Sequence, residues 1–127
     1  MAKKQELEFF MVGDFPYEYA YCPNAKLWKA HFRKLEEDFV PPPFPSCDTG
    51  GRCTQIETYD TCIVTIGDRN PPDIVESILV HEAVHVFQNA CEHAGEIEPS
   101  SEFQAYSIQA IYYNLSTEYK KAAKSSS

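Results

Sequence analysis

The sequence predicts an α+β domain, with a small and mostly antiparallel sheet packed on helices, from three observations. β-Branched and aromatic residues concentrate in short runs at 5–12, 54–59 and 61–66, each bounded by Gly, Asp or Asn. Apolar residues recur at helical spacing in three other stretches, beginning near residues 25, 73 and 101. The 127 residues, 43% of them hydrophobic, are enough for one core, and no repeat or linker divides them. Residues 1–127 therefore read as a single domain whose tail, from about residue 120, is expected to fray.

Along the chain, residues 5–12 read as a first strand ended by Gly13-Asp14. Residues 17–21, with alternating tyrosines, read as a short extended stretch or equally as loop. Asn24 is an N-cap for a helix reaching about Asp38, with Leu27, Trp28, Phe32 and Leu35 as its apolar stripe. His31 lies beside that stripe and reads as a structural or surface histidine. Val40-Pro41-Pro42-Pro43-Phe44-Pro45 stops the helix, because proline lacks an amide donor and restricts the residue before it. This run reads as a rigid connector, with a docking segment for a protein partner as the alternative.

Asp48-Thr49-Gly50-Gly51 marks a turn, and the two following strands form a hairpin about Tyr59-Asp60. Asn70 with Pro71-Pro72 is a helix entry, and that helix should run to about His93 with Gly95 ending it. Val75, Leu79, Ala83, Val86, Phe87 and Ala90 make its broad apolar face. Ser100 or Ser101 then caps a last helix from about 101 to 119.

Composition excludes some functions. A formal net charge of −8 opposes a phosphate backbone, so no nucleic-acid partner is expected. No apolar run is long enough for a membrane span, and the N-terminus lacks a signal-peptide pattern. Five cysteines (Cys22, Cys47, Cys53, Cys62, Cys91) are an odd number, which predicts free thiols in a reducing cytoplasm. A Cys47–Cys53 disulfide, or a second metal site at Cys47, Cys53 and Cys62, is the alternative. The acidic surface leaves room for a protein partner.

The chemistry concentrates at His81-Glu82-Ala83-Val84-His85, an HExxH motif. On a helix positions 81 and 85 differ by only ~40° around the axis and ~6 Å along it, so both imidazoles can reach one zinc ion. Glu82 projects from the adjoining side, where it can act as general base. A catalytic zinc needs a third protein ligand. Cys91 lies six residues beyond His85, but Gln88 replaces the helix-breaking glycine of the metzincin pattern. An unbroken helix carries Cys91 ~10 Å onward and out of reach. Glu102 fits better: a turn through Gly95 and Pro99 lets the last helix fold back antiparallel, with Glu102, Ala105, Tyr106 and Gln109 on one side. The competing account of Glu102 is an acidic residue held at a helix N-terminus by the dipole.

The HExxH motif followed by Glu102-Phe103-Gln104-Ala105-Tyr106 resembles the gluzincin arrangement of zinc metallopeptidases. Over residues 53–119 the chain is most similar to the small single-domain minigluzincins. The resemblance implies a minimal zincin-like core: a small sheet on the HExxH helix, the Glu-bearing helix after it and one N-terminal helix. It implies Zn²⁺ held by His81, His85 and Glu102, and hydrolysis of a peptide or protein substrate with Glu82 as base. It further implies an oxyanion donor, for which Tyr106 is the first candidate and Tyr112 or Tyr113 the next. The strand at 63–66 is expected to pair with the extended peptide, and Gln88 to orient a ligand or substrate. The chain lacks room for a large second domain, which leaves a non-catalytic zinc-containing binding or assembly module as the alternative.

Overall fold

The computed structural model describes residues 6–45 and 49–125 and is an α+β fold with a mixed four-stranded sheet. The strands are β1 (Phe9–Met11), β2 (Glu18–Tyr21), β3 (Gly51–Ile56) and β4 (Thr61–Ile66), in spatial order β1-β2-β4-β3. β1–β2 and β3–β4 are antiparallel, whereas β2 and β4 run parallel. The expected hairpin forms, with Gly51 opposite Ile66 and Ile56 opposite Thr61. Its connection is a 3₁₀ turn over Glu57–Tyr59, closed by Asp60 in the left-handed region (φ 53°). Of the run expected as the first strand, Gln5 lies outside the described residues, and of residues 6–12 only Phe9, Phe10 and Met11 pair with β2.

Both faces of the sheet are covered. On one, α1 (Ala25–Arg33) buries Trp28 and Phe32 against Cys22, Ile56 and Ile63. Asn24 caps it as expected, its Oδ1 accepting from Leu27 N at 2.9 Å. The helix ends at Arg33 rather than Asp38. Beyond it the chain must turn so that Phe39 stacks on Phe32 and meets Tyr59, with ring centroids 6.0 and 5.2 Å apart. The proline run is tied down: Trp28 Nε1 donates to the Pro42 carbonyl at 3.0 Å, and Phe44 packs edge-on against the indole. His31 lies between Phe9 and Phe32, and burial together with Lys34 lowers its pKa.

On the other face lie α2 (Val75–Ala94) and α3 (Ser101–Ser125). All six residues of the expected apolar face of α2 are buried, against Tyr19, Cys62 and Val64 of the sheet and Ile111 and Leu115 of α3. Gly95 closes α2 in the left-handed region at φ 75°, with its N–H reaching the Glu92 carbonyl and that of Glu96 reaching Cys91. Ser100 Oγ accepts from Phe103 N, capping α3. This last helix does not stop near 119. It continues through Ser125, with Tyr119 and Ala122 still packed on the core and Lys121 paired to Glu118 at 3.1 Å. Antiparallel packing of α2 and α3 is pinned at both ends, by Phe87 on Phe103 and by the Glu76 carboxylate, which accepts from Tyr112 and Ser116 hydroxyls.

Asn70 does not cap the helix. Its side chain clasps the open end of the hairpin, accepting from Gly50 N at 2.7 Å and donating to the Gly50 and Gly67 carbonyls at 2.9 and 2.8 Å. A 3₁₀ turn at Pro72–Ile74 precedes α2 instead. Gly51 meets α2 so closely that an added Cβ would stand 2.9 Å from Ile78 Cγ2 and 3.1 Å from the Thr65 carbonyl. A Gly51→Ala substitution is therefore expected to destabilise by about 1–3 kcal/mol, since the carbonyl cannot move aside. Urea denaturation checks it, and an unchanged midpoint would contradict the close approach.

Candidate metal centre

α2 turns its apolar face to the sheet, which leaves His81 and His85 on its outer flank, towards β3. The structure brings the two imidazoles together: His81 Nε2 and His85 Nε2 are 3.2 Å apart. Two nitrogens bound to one tetrahedral zinc at ~2.0–2.1 Å would be separated by about 3.3 Å. The helix thus presents the two donors at the span that one zinc ion requires. His85 Nδ1 lies 3.0 Å from Gln88 Oε1. With the amide oxygen accepting, Nδ1 carries the proton and Nε2 keeps its lone pair free for a metal. Gln88 is the outer partner that its helical spacing from His85 suggested. A Gln88→Leu change is expected to weaken zinc binding about 10- to 100-fold with the fold intact, measured by competition with a chromophoric chelator.

The histidines border an open cleft of about 300 Å³, walled by Gly51, Arg52, Cys53 and Gln55 on β3 and by Glu82 and Asn89 on α2. Glu82 is only 3% exposed. Burial pushes its carboxyl pKa up, and the neighbouring His81 and His85 offset this only in part. A carboxylate poorly solvated by water and set beside two imidazoles suits a proton acceptor.

The other expected site residues lie elsewhere. Glu102, Ala105, Tyr106 and Gln109 share one side of α3 as expected, but that side faces solvent, and Tyr106 is 68% exposed. The reason is the flank on which α3 packs. It contacts α2 along Glu76 and Phe87, whereas His81 and His85 lie roughly 120° or more further round the axis. Among the described residues no three His, Cys, Asp or Glu side chains gather to hold a metal, so Glu102 is not assembled with the imidazoles. Tyr113 is exposed, and Tyr112 is engaged with Glu76. The peptide-pairing role expected of residues 63–66 also fails. β4 is an interior strand with β2 and β3 on its two sides, and among the described residues the sheet edge beside the cleft is β3.

Sequence reasoning missed Asn89 and Gln55. Asn89 follows His85 by one helical turn, so spacing alone could have flagged it. Gln55 reaches the cleft only through the hairpin register, which places it opposite Cys62 on the face that α2 covers. The described cysteines Cys22, Cys53, Cys62 and Cys91 are free, while Cys47, with the pairing and metal site suggested for it, lies outside the described residues.

No protein-family model matches the chain, and no curated protein or solved structure matches it.

Proposed function

We propose that this chain is a zinc-dependent hydrolase acting on peptide bonds. The 3.2 Å convergence of His81 and His85 Nε2 beside the buried Glu82 carries the reading. These donors fit zinc in type and spacing: two imidazole nitrogens, one ring oriented by Gln88. In the proposal Glu102 is the third ligand. Its carboxylate would have to leave the solvent face of α3 to complete the set.

Zinc, when bound, supplies a Lewis acid and lowers the pKa of a water molecule towards ~7. Glu82 accepts the proton of the attacking water and returns it to the leaving amine. An extended peptide lies along the outer edge of β3, which fixes its carbonyl over the cleft. The side chains of Arg52, Gln55 and Asn89, which line the cleft, carry N–H groups that could serve the developing oxyanion. Tyr106 assists only if α3 shifts with Glu102.

The second reading is a zinc-containing binding or assembly module without turnover. It is favoured by the exposed position of Glu102 and by a cleft too small and open to enclose a substrate. Zinc analysis on wild type, His85→Ala and Glu102→Ala separates the possibilities. The proposal expects about one zinc per wild-type chain and none in His85→Ala. Loss in Glu102→Ala supports the third-ligand assignment, and retention there removes it. Wild-type protein that takes up no zinc when supplied with it rejects both readings.

A further inference from the structure

Below the zinc cleft two thiols share one face of the hairpin. The register sets Cys53 opposite Val64 and Gln55 opposite Cys62, so Cys53 and Cys62 are diagonal neighbours on the side covered by α2. Both contribute to the same hydrophobic core cluster, Cys62 fully buried and Cys53 partly so. Cys53 also lines the open cleft. Asn89 Nδ2 donates to Cys53 Sγ at 3.5 Å, fixing the thiol within that wall. Cys62 is the foremost influence holding the proton on Cys53, ahead of burial. The buried Tyr17 hydroxyl lies beside Cys62. Nothing in the proposed hydrolysis uses either sulfur.

We propose that Cys53 and Cys62 form a reversible disulfide, made by exchange with a low-molecular-weight disulfide that enters through the cleft. Cys53, held protonated by its surroundings, first loses its proton to base entering the cleft. Its thiolate then attacks one sulfur of oxidised glutathione, and the first glutathione leaves as thiolate. The thiolate of Cys62 then attacks Cys53 Sγ in the mixed disulfide and expels the second glutathione. One S–S bond is consumed and one formed, the two protein thiols are oxidised, and their protons end on two reduced glutathiones.

Diagonal neighbours have Cα atoms about 7–8 Å apart, beyond the usual 4.4–6.8 Å of a disulfide. Closing the bond must shear β3 slightly along β4. That strain makes the bridge easy to reduce, which suits a labile pair better than a permanent staple. The bridge also takes away the thiol that Asn89 contacts, altering the wall behind Glu82.

The test needs no zinc and no substrate. Native protein is incubated with oxidised glutathione, free thiols are alkylated, and the chain is cleaved after Tyr59 without reduction. The expected result is loss of two alkylatable thiols and one reducible link joining the Cys53 and Cys62 peptides. Cys62→Ser should stall as a single glutathione adduct on Cys53, and Cys53→Ser should acquire neither adduct nor link, with circular dichroism verifying the fold of each. Five alkylatable thiols in treated wild type, or a link from Cys53 to Cys47 instead, overturns the proposal. An unmodified Cys53 in folded Cys62→Ser overturns the route through the cleft and the proposal with it.

Discussion

Replacing Glu82 by Gln is expected to lower peptide hydrolysis by about 10²- to 10⁴-fold while leaving zinc binding near the wild-type level. The amide keeps the shape of the side chain at a site only 3% exposed, so packing below the cleft survives. It removes only the capacity to take a proton. Single-turnover cleavage of a peptide library, run beside zinc analysis, separates the two effects. Cleavage as fast as wild type would show that Glu82 is not the base.

The same variant has a stability signature in metal-free protein. Burial raises the pKa of Glu82 in the fold above its unfolded value. The folded state therefore holds the proton more tightly, and wild-type stability falls as pH rises from the ordinary carboxylate range (~4.3) through the raised folded value. Glu82→Gln lacks that loss. It should unfold at higher urea than wild type at neutral pH, with the difference vanishing in acid. Equal midpoints across that range would mean that the carboxyl is solvated in the fold.

Leu79→Ala is expected to cost about 2–5 kcal/mol. Leu79 is fully buried in the cluster where α2 meets the sheet and α3, and neighbouring side chains cannot all close on the space left behind. The variant also tests what positions the metal centre. His81 and His85 are on the same helix, so their mutual spacing should survive as long as α2 is helical. The distance from histidines to β3 depends on the packing that Leu79 supplies. Zinc affinity should thus fall less than peptide cleavage in the folded fraction. Ile97→Ala, at a position 90% exposed, should change stability by no more than about 0.5 kcal/mol. Similar midpoints for the two variants in urea would place Leu79 outside the core.

Several features were legible because they are local. The pairing of His81 with His85 follows from the pitch of a helix, and Gln88 from one further step along it. The buried face of α2 was fixed by the spacing of Val75, Leu79, Ala83, Val86, Phe87 and Ala90. Asn24, Gly95 and Ser100 each mark a helix end through hydrogen bonds to nearby backbone. The Tyr59-Asp60 hairpin followed from two β-branched runs with a turn between them.

Other features depended on partners distant in sequence. Asn70 reads as a helix cap beside Pro71, yet a better set of bonds exists at Gly50, twenty positions away. That 61–66 is interior and Gly51–Ile56 the edge follows from parallel pairing with β2, which no local pattern records. The orientation of Glu102 depends on how α3 rolls against α2. Burial of Ile111 and Leu115 and the grip of Tyr112 and Ser116 on Glu76 set that roll. Tyrosines are scattered round α3, so its sequence carries no sharp apolar stripe from which the roll could be read.

The sequence by itself determined the α+β class, the helix that carries HExxH and the pairing of its two imidazoles, because neighbours along a helix fix one another through backbone geometry. Tertiary structure alone decided which strand edge faces those imidazoles, that Glu102 and Tyr106 point to solvent, and that Cys53 and Cys62 lie side by side. Those outcomes depend on which buried surfaces meet, and a balance struck among many distant side chains leaves no mark at any single position.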